Sequence, residues 1–184
     1  STPANPLIND AGASADALAA LAAMPSGYRY RVLPTNANTG TNNVASEMNS
    51  RQELRAGGDH VNPDPAKSNL QPLPGIDGIK LKDPVTGEPD PVIAKAIDEC
   101  CRQSATTEIP FTITSWKEMQ LILAEAGLAQ GNEEDFRTRV NAARAVDGLP
   151  AWGSTPSARE MLIHERRVNL FLQSRRLHDL YRFG

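Results

Sequence analysis

The sequence predicts a mostly α-helical protein with a long loop-rich N-terminal half, and three features carry that expectation. Apolar residues make up 40% of the 184 positions but aromatic residues only 5%. A core made mainly of Ala, Leu, Ile and Val suits packed helices better than a sheet sandwich. Beyond residue 90, apolar side chains recur at helical spacing in four successive segments. Residues 26–90, in contrast, hold seven each of Pro, Gly and Asn, a density that breaks both helix and strand periodicity. The division this suggests is residues 1–90, loop-rich with one short helix, and residues 91–184, a helical region.

Taken in order, the Ala/Leu run from Ser14 to Met24 reads as a short helix, with Ser14 and Asp16 near its start and Pro25-Ser26-Gly27 as its stop. Residues Tyr28 to Val32 alternate as a half-buried strand does, but no second convincing strand lies close by. Pro91 fits the first position of a helix running to about Gln103, with Val92, Ile93, Ala96, Ile97 and Cys100 on one side. Thr114 or Ser115 caps the next helix, in which Met119, Ile122, Leu123 and Ala126 form the apolar stripe before Gly131 stops it. Asn132 caps a third, with Asp135 in the capping-box position, a stripe of Phe136, Val140 and Ala143, and Gly148 at its end. The short turn between these two helices predicts an antiparallel hairpin. A fourth helix starts at Thr155-Pro156 or Ser157 and, meeting neither Gly nor Pro, is expected to continue to Phe183.

A net charge of −3 is too balanced to supply a field for nucleic acid, which is excluded as the main partner. No apolar run is long enough to span a bilayer, and the first residues lack the pattern of a signal peptide. The only cysteines, Cys100 and Cys101, are neighbours whose helical side chains diverge by about 100°. They read as two buried thiols rather than as redox or metal chemistry. Sixty-five loop-dominated residues need a surface to pack on or a binding role, which points to a partner outside the chain.

On the last segment, Glu165, Asn169, Leu172, Arg176 and Asp179 share one stripe if the helix is continuous. Leu162, Val168, Leu170, Phe171, Leu177 and Leu180 flank it, so the charges are expected to be partly buried and paired. Asn141 and Arg144 on the third helix are the natural partners, because a guanidinium forks onto a carboxylate. Asn141, Arg144, Glu165, Arg176 and Asp179 are therefore expected to form one structural polar cluster. As a catalytic pair Glu165 and Asp179 fail, since fourteen residues of helix separate them by about 21 Å, far beyond the roughly 5 to 10 Å of a glycosidase pair. His164 and His178 are equally far apart, and Asp59, Asn62 and Asp64 lack the Gly and terminal Glu of an EF-hand. The residues indicate no catalytic site, no cofactor and no metal. Trp152 reads as a lid packed on the third and fourth helices.

Three ordered pieces remain: LILAEAGLAQGN (121 to 132), RVNAARAVDGLP (139 to 150) and HERRVNLFLQSRRLHDLYRFG (164 to 184). In sequence and spacing they resemble the C-terminal motif of SusD/RagB nutrient-uptake proteins. Two departures stand out. Leu172-Gln173-Ser174 lies where many members have a Glu and Gly, and Gly127 replaces a common Tyr or Leu. The resemblance implies TPR-like helical pairs with a loop-rich ligand face. It further implies a non-enzymatic lipoprotein at the outer membrane surface or periplasm, capturing an oligosaccharide or peptide with a TonB-dependent transporter. Only the C-terminal part of such a protein is matched, and the lipid-accepting Cys is lacking, so attachment would come through a partner or an anchor not present in this chain. Tyr28 and Tyr30 are the candidate ligand-binding residues, because sugar faces stack on aromatic rings. The alternative is an accessory scaffold subunit that braces a larger membrane complex.

Overall fold

The structure, a computed structural model, describes residues 6–34, 59–62, 64, 75–101 and 109–183. It is mostly helical: α1 (Ala11–Ala23), α2 (Pro91–Cys101), α3 (Trp116–Ala129), α4 (Glu133–Val146), α5 (Ala158–Asn169) and α6 (Arg176–Phe183). Strands β1 (Arg29–Val32) and β2 (Phe111–Ser115) pair in a two-stranded sheet, and a 3-10 turn covers Ile76–Gly78. Strand β2 was not expected. Its alternating Phe-Thr-Ile-Thr-Ser is a β-favouring run, but its partner lies some eighty residues earlier, where a search among near neighbours does not reach. Most of the loop-rich stretch expected between residues 26 and 90 lies outside the described residues.

Contacts divide the chain otherwise than at residue 90. One unit comprises Ser1–Tyr30, Pro84–Thr86 and Thr114–Gly184, the other Arg31–Asp83 and Gly87–Ile113. The first unit thus joins α1 to the four C-terminal helices.

Helix α1 begins earlier than expected because Asp10, not Ser14 or Asp16, caps it: its Oδ1 accepts the Ala13 N–H at 2.7 Å. Ser115 caps α3 by accepting the Glu118 N–H at 3.1 Å. Helix α3 is buried nearly all round, so the apolar stripe read from its period is only part of what it covers. It ends where Gly131, at φ 75°, lets the Asn132 N–H return to the Gly127 carbonyl at 2.8 Å. Asn132 then caps α4 by accepting the Asp135 N–H at 3.1 Å. Ser157 and Glu160 form a reciprocal capping box at the start of α5.

The core of this unit is built of Ala124, Phe136, Val140, Trp152, Met161 and Leu162, all fully buried. Trp152 packs edge-on against Phe136 with ring centroids 5.2 Å apart, and its indole N–H donates to the Pro156 carbonyl at 2.9 Å. Burying each large side chain contributes on the order of 1.5 to 3 kcal/mol. Replacing Phe136 with Ala would remove the contact on which the loop after α4 closes.

The main departure comes at the end. Residues 155–183 do not form one helix: α5 stops at Asn169 and α6 restarts at Arg176. Between them Leu172 and Ser174 take φ near 60°, a left-handed conformation that costs non-glycine residues roughly 1 to 2 kcal/mol each. The Gln173 N–H donates to the Leu170 carbonyl at 3.1 Å, and its side-chain amide to the Asn169 carbonyl at 2.9 Å. The break resets the helical phase. Leu162, Val168 and Leu170 are buried as expected, whereas Leu177 and Leu180 are exposed.

In the other unit, α2 buries Val92, Ile93, Ala94 and Ile97, and Asp90 caps it by accepting the Val92 N–H at 2.8 Å. Asp59 and His60 form a turn, and the Asn62 side chain donates to the Asp77 carbonyl at 3.2 Å. Cys100 is disulfide-bonded and half-buried, which corrects its reading as a buried thiol.

Candidate functional site

The charged residues of the C-terminal helices sort into two buried groups rather than one. In the first, Arg144 Nη1 donates to Glu165 Oε1 at 2.7 Å, with both side chains essentially without solvent. Arg144 Nε donates to the Pro150 carbonyl at 2.8 Å, and Asn169 Nδ2 to Glu165 Oε2 at 2.8 Å. One guanidinium thereby ties α4, the loop after it and α5 together. Asn141 works beside this group rather than in it. Its Nδ2 donates to the Trp152 carbonyl at 3.0 Å, and its Oδ1 accepts the Trp152 N–H at 2.7 Å, which fixes the tryptophan over Phe136.

The second group contains residues that the sequence reading left aside. Arg166 Nε donates to both oxygens of Asp179, at 3.0 and 3.1 Å, and Arg166 Nη1 to Glu125 Oε2 at 3.3 Å. Arg182 pairs with Glu125 and Asp179, and its Nε donates to the Pro6 carbonyl at 2.9 Å. Burial pulls the Arg182 guanidinium below its ordinary pKa. Glu125 Oε1 also accepts the Ile8 N–H at 2.7 Å, so α3, α5, α6 and the segment before α1 meet on two carboxylates and two guanidinia. The signal for Glu125 was present in the sequence, as an acid set within the Leu/Ala run of the second half of α3.

Arg176 is not in either group. It is exposed at the first turn of α6, because the break after Asn169 turns it away from the stripe it would occupy on a continuous helix. Its neighbour Arg175 takes an inward role, donating to Glu118 Oε1 at 2.9 Å. The 21 Å separation of Glu165 and Asp179 presumed a continuous helix, and the break removes that argument. Each carboxylate is held by guanidinium partners, Glu165 by Arg144 and Asp179 by Arg166 and Arg182.

Tyr28 and Tyr30 are exposed, 41% and 54%, one just before β1 and one within it. The Tyr28 carbonyl accepts the Trp116 N–H at 2.9 Å, which holds that backbone to the start of α3. Alternate residues of a strand face one way about 6.6 Å apart, and within β1 Tyr30 and Val32 follow that alternation as its exposed residues. His164 is half-buried on α5, and His178 is exposed on α6. In the second unit, Asp83 and Asp90 are fully buried with an oxygen of each within 4.8 Å of the other. Asp90 Oδ1 is engaged by the start of α2.

No family model, curated protein or solved structure matches the chain. Among the described residues no helix is long and apolar enough to cross a membrane.

Proposed function

We propose that the protein is a non-enzymatic, extracytoplasmic binding protein of the SusD/RagB kind, which captures an oligosaccharide or peptide in partnership with a TonB-dependent outer-membrane transporter. One observation carries the reading. The three sequence pieces behind the resemblance each contribute charged residues to the buried groups: Glu125 from the first, Arg144 from the second, and Glu165, Arg166, Asp179 and Arg182 from the third. Residues drawn from all three pieces thus meet in the interior, which supports reading the pieces together as one folding unit. On this reading Tyr28 and Tyr30 form the ligand platform, and the helices hold it rigid.

The alternative, an accessory scaffold subunit of a membrane complex, draws on a different observation: Leu177, Leu180 and Tyr181 face outward on α6.

The test measures binding and partnership separately. Calorimetry of the isolated protein against a panel of oligosaccharides and peptides should detect a ligand, and Tyr30→Ala should weaken it by about tenfold, the loss expected for a stacking contact of about 1.4 kcal/mol. Purification from native outer membranes should bring down a barrel transporter. Binding that is indifferent to both Tyr28→Ala and Tyr30→Ala would remove the platform, and a co-purifying complex without a transporter would favour the scaffold.

A further inference from the structure

Helix α6 is built inside out. Its charged residues Asp179 and Arg182 are buried, 5% and 8% exposed, while Leu177, Leu180 and Tyr181 stand in solvent at 80%, 45% and 66%. The inversion follows from the ion pairs: Asp179 and Arg182 are held inward by Arg166 and Glu125, so the residues one and two positions away must face out on a helix of 100° per residue. Leu177, Leu180 and Tyr181 lie at i, i+3 and i+4, the spacing with which a helix enters a groove. The exposed nitrogen-bearing side chains on the same helix are Arg176 and His178, both basic residue types. The only acid of the helix, Asp179, is buried.

We infer that this face docks a protein partner that offers an apolar groove rimmed by Asp or Glu side chains. The chemistry selects among three occupants. A membrane surface would take a basic, apolar helix, but binding there scales with buried area and with about 1 kcal/mol per basic residue. The exposed face of this eight-residue helix, with three apolar side chains and the one exposed permanent cation Arg176, supplies little of either. A second copy on a two-fold axis would bring two copies of the same basic face together, with no exposed acid of α6 to meet Arg176, because an isologous interface repeats the same patch. A protein groove concentrates affinity on a few anchors, and Tyr and Arg are the residues that serve as such anchors. The inference is independent of sugar or peptide capture, since it needs neither Tyr28 nor Tyr30.

A photo-crosslinking residue placed at position 177 of the full chain, in the cells that make it, tests the face directly. The expected product is one discrete crosslinked species whose partner peptide, sequenced by mass spectrometry, carries Asp or Glu beside apolar residues. Arg176→Glu should reduce its yield by about tenfold, in line with loss of a charged anchor. Tyr181→Ser should do the same and leave the melting temperature of the isolated protein unchanged. Three outcomes overturn the inference: crosslinking that Arg176→Glu does not affect, flotation of the isolated protein with phosphatidylglycerol vesicles that Tyr181→Ser abolishes, or a dimer in sedimentation velocity that the same substitution dissociates. A fall in melting temperature with Tyr181→Ser would also count against it, by assigning the ring to the fold.

Discussion

The apolar centre and the ionic layer of the C-terminal helices hold the same elements together by opposite means. Around Phe136 and Trp152 the stabilisation comes from area removed from water and tolerates approximate fit. Around Glu165, Arg166 and Asp179 each charge is stable only because a named partner meets it, so removing one member leaves another stranded. The difference is between graded and all-or-none contributions. It also separates what a sequence shows: apolar periodicity is a property of one segment, whereas an ion pair depends on two segments and on the phase between them.

The sharpest way to test that contrast is Arg144→Ala, which leaves Glu165 buried without its guanidinium. The expected cost is about 3 to 5 kcal/mol in urea unfolding. The double change Arg144→Met with Glu165→Leu should recover more than half of it, because an apolar pair of similar volume needs no partner. A single-variant cost below about 1 kcal/mol would mean that the pair is hydrated and that the layer is not all-or-none.

Arg176→Ala sets the boundary of the layer. With the side chain exposed, the change should stay within about 0.5 kcal/mol of the parent protein. A loss of several kcal/mol would place Arg176 inward and restore a continuous helix from Ser157 to Phe183.

The smallest effect concerns the capping box. The Ser157 hydroxyl and then the Ser157 N–H hold the Glu160 carboxyl below its ordinary pKa. A depressed carboxylate stabilises above its unfolded pKa, and that contribution fades as the pH falls through the folded value. Carbon-detected NMR titration should find Glu160 below the usual glutamate range, and Ser157→Ala should move it back up. An unmoved titration would assign the shift to something other than the cap.

Much of α3, α4 and the start of α5 was legible, because Ser115, Asn132 and Ser157 act locally and the apolar period is clear. The Arg144–Glu165 pair was legible for a related reason: both residues lie on uninterrupted helices, so their phase is fixed by the sequence. Asp179 was rightly read as inward but Arg176 was not, since the turn at Leu172 and Ser174 contains neither Gly nor Pro and only its left-handed backbone reveals it. A hint did exist. Ser174 falls in the stretch where the resembled motif carries a Gly, the residue that adopts such a conformation without strain. Strand β2 escaped because pairing across eighty residues is not a local property.

Gly127 has a consequence for how this sequence can vary. A Cβ there would lie 3.0 Å from Asp135 Oδ2 and 3.4 Å from both the Asn132 carbonyl oxygen and the Phe136 nitrogen. Alanine therefore displaces only the flexible end of Asp135, at the expense of its 3.3 Å bond from Arg139. A larger side chain meets backbone on the α4 side. The Tyr or Leu common at this place in the resembled motif could enter only together with a different turn between α3 and α4. Position 127 and residues 130–132 are thus one heritable unit, expected to change in concert across descendants of this chain and to resist change singly.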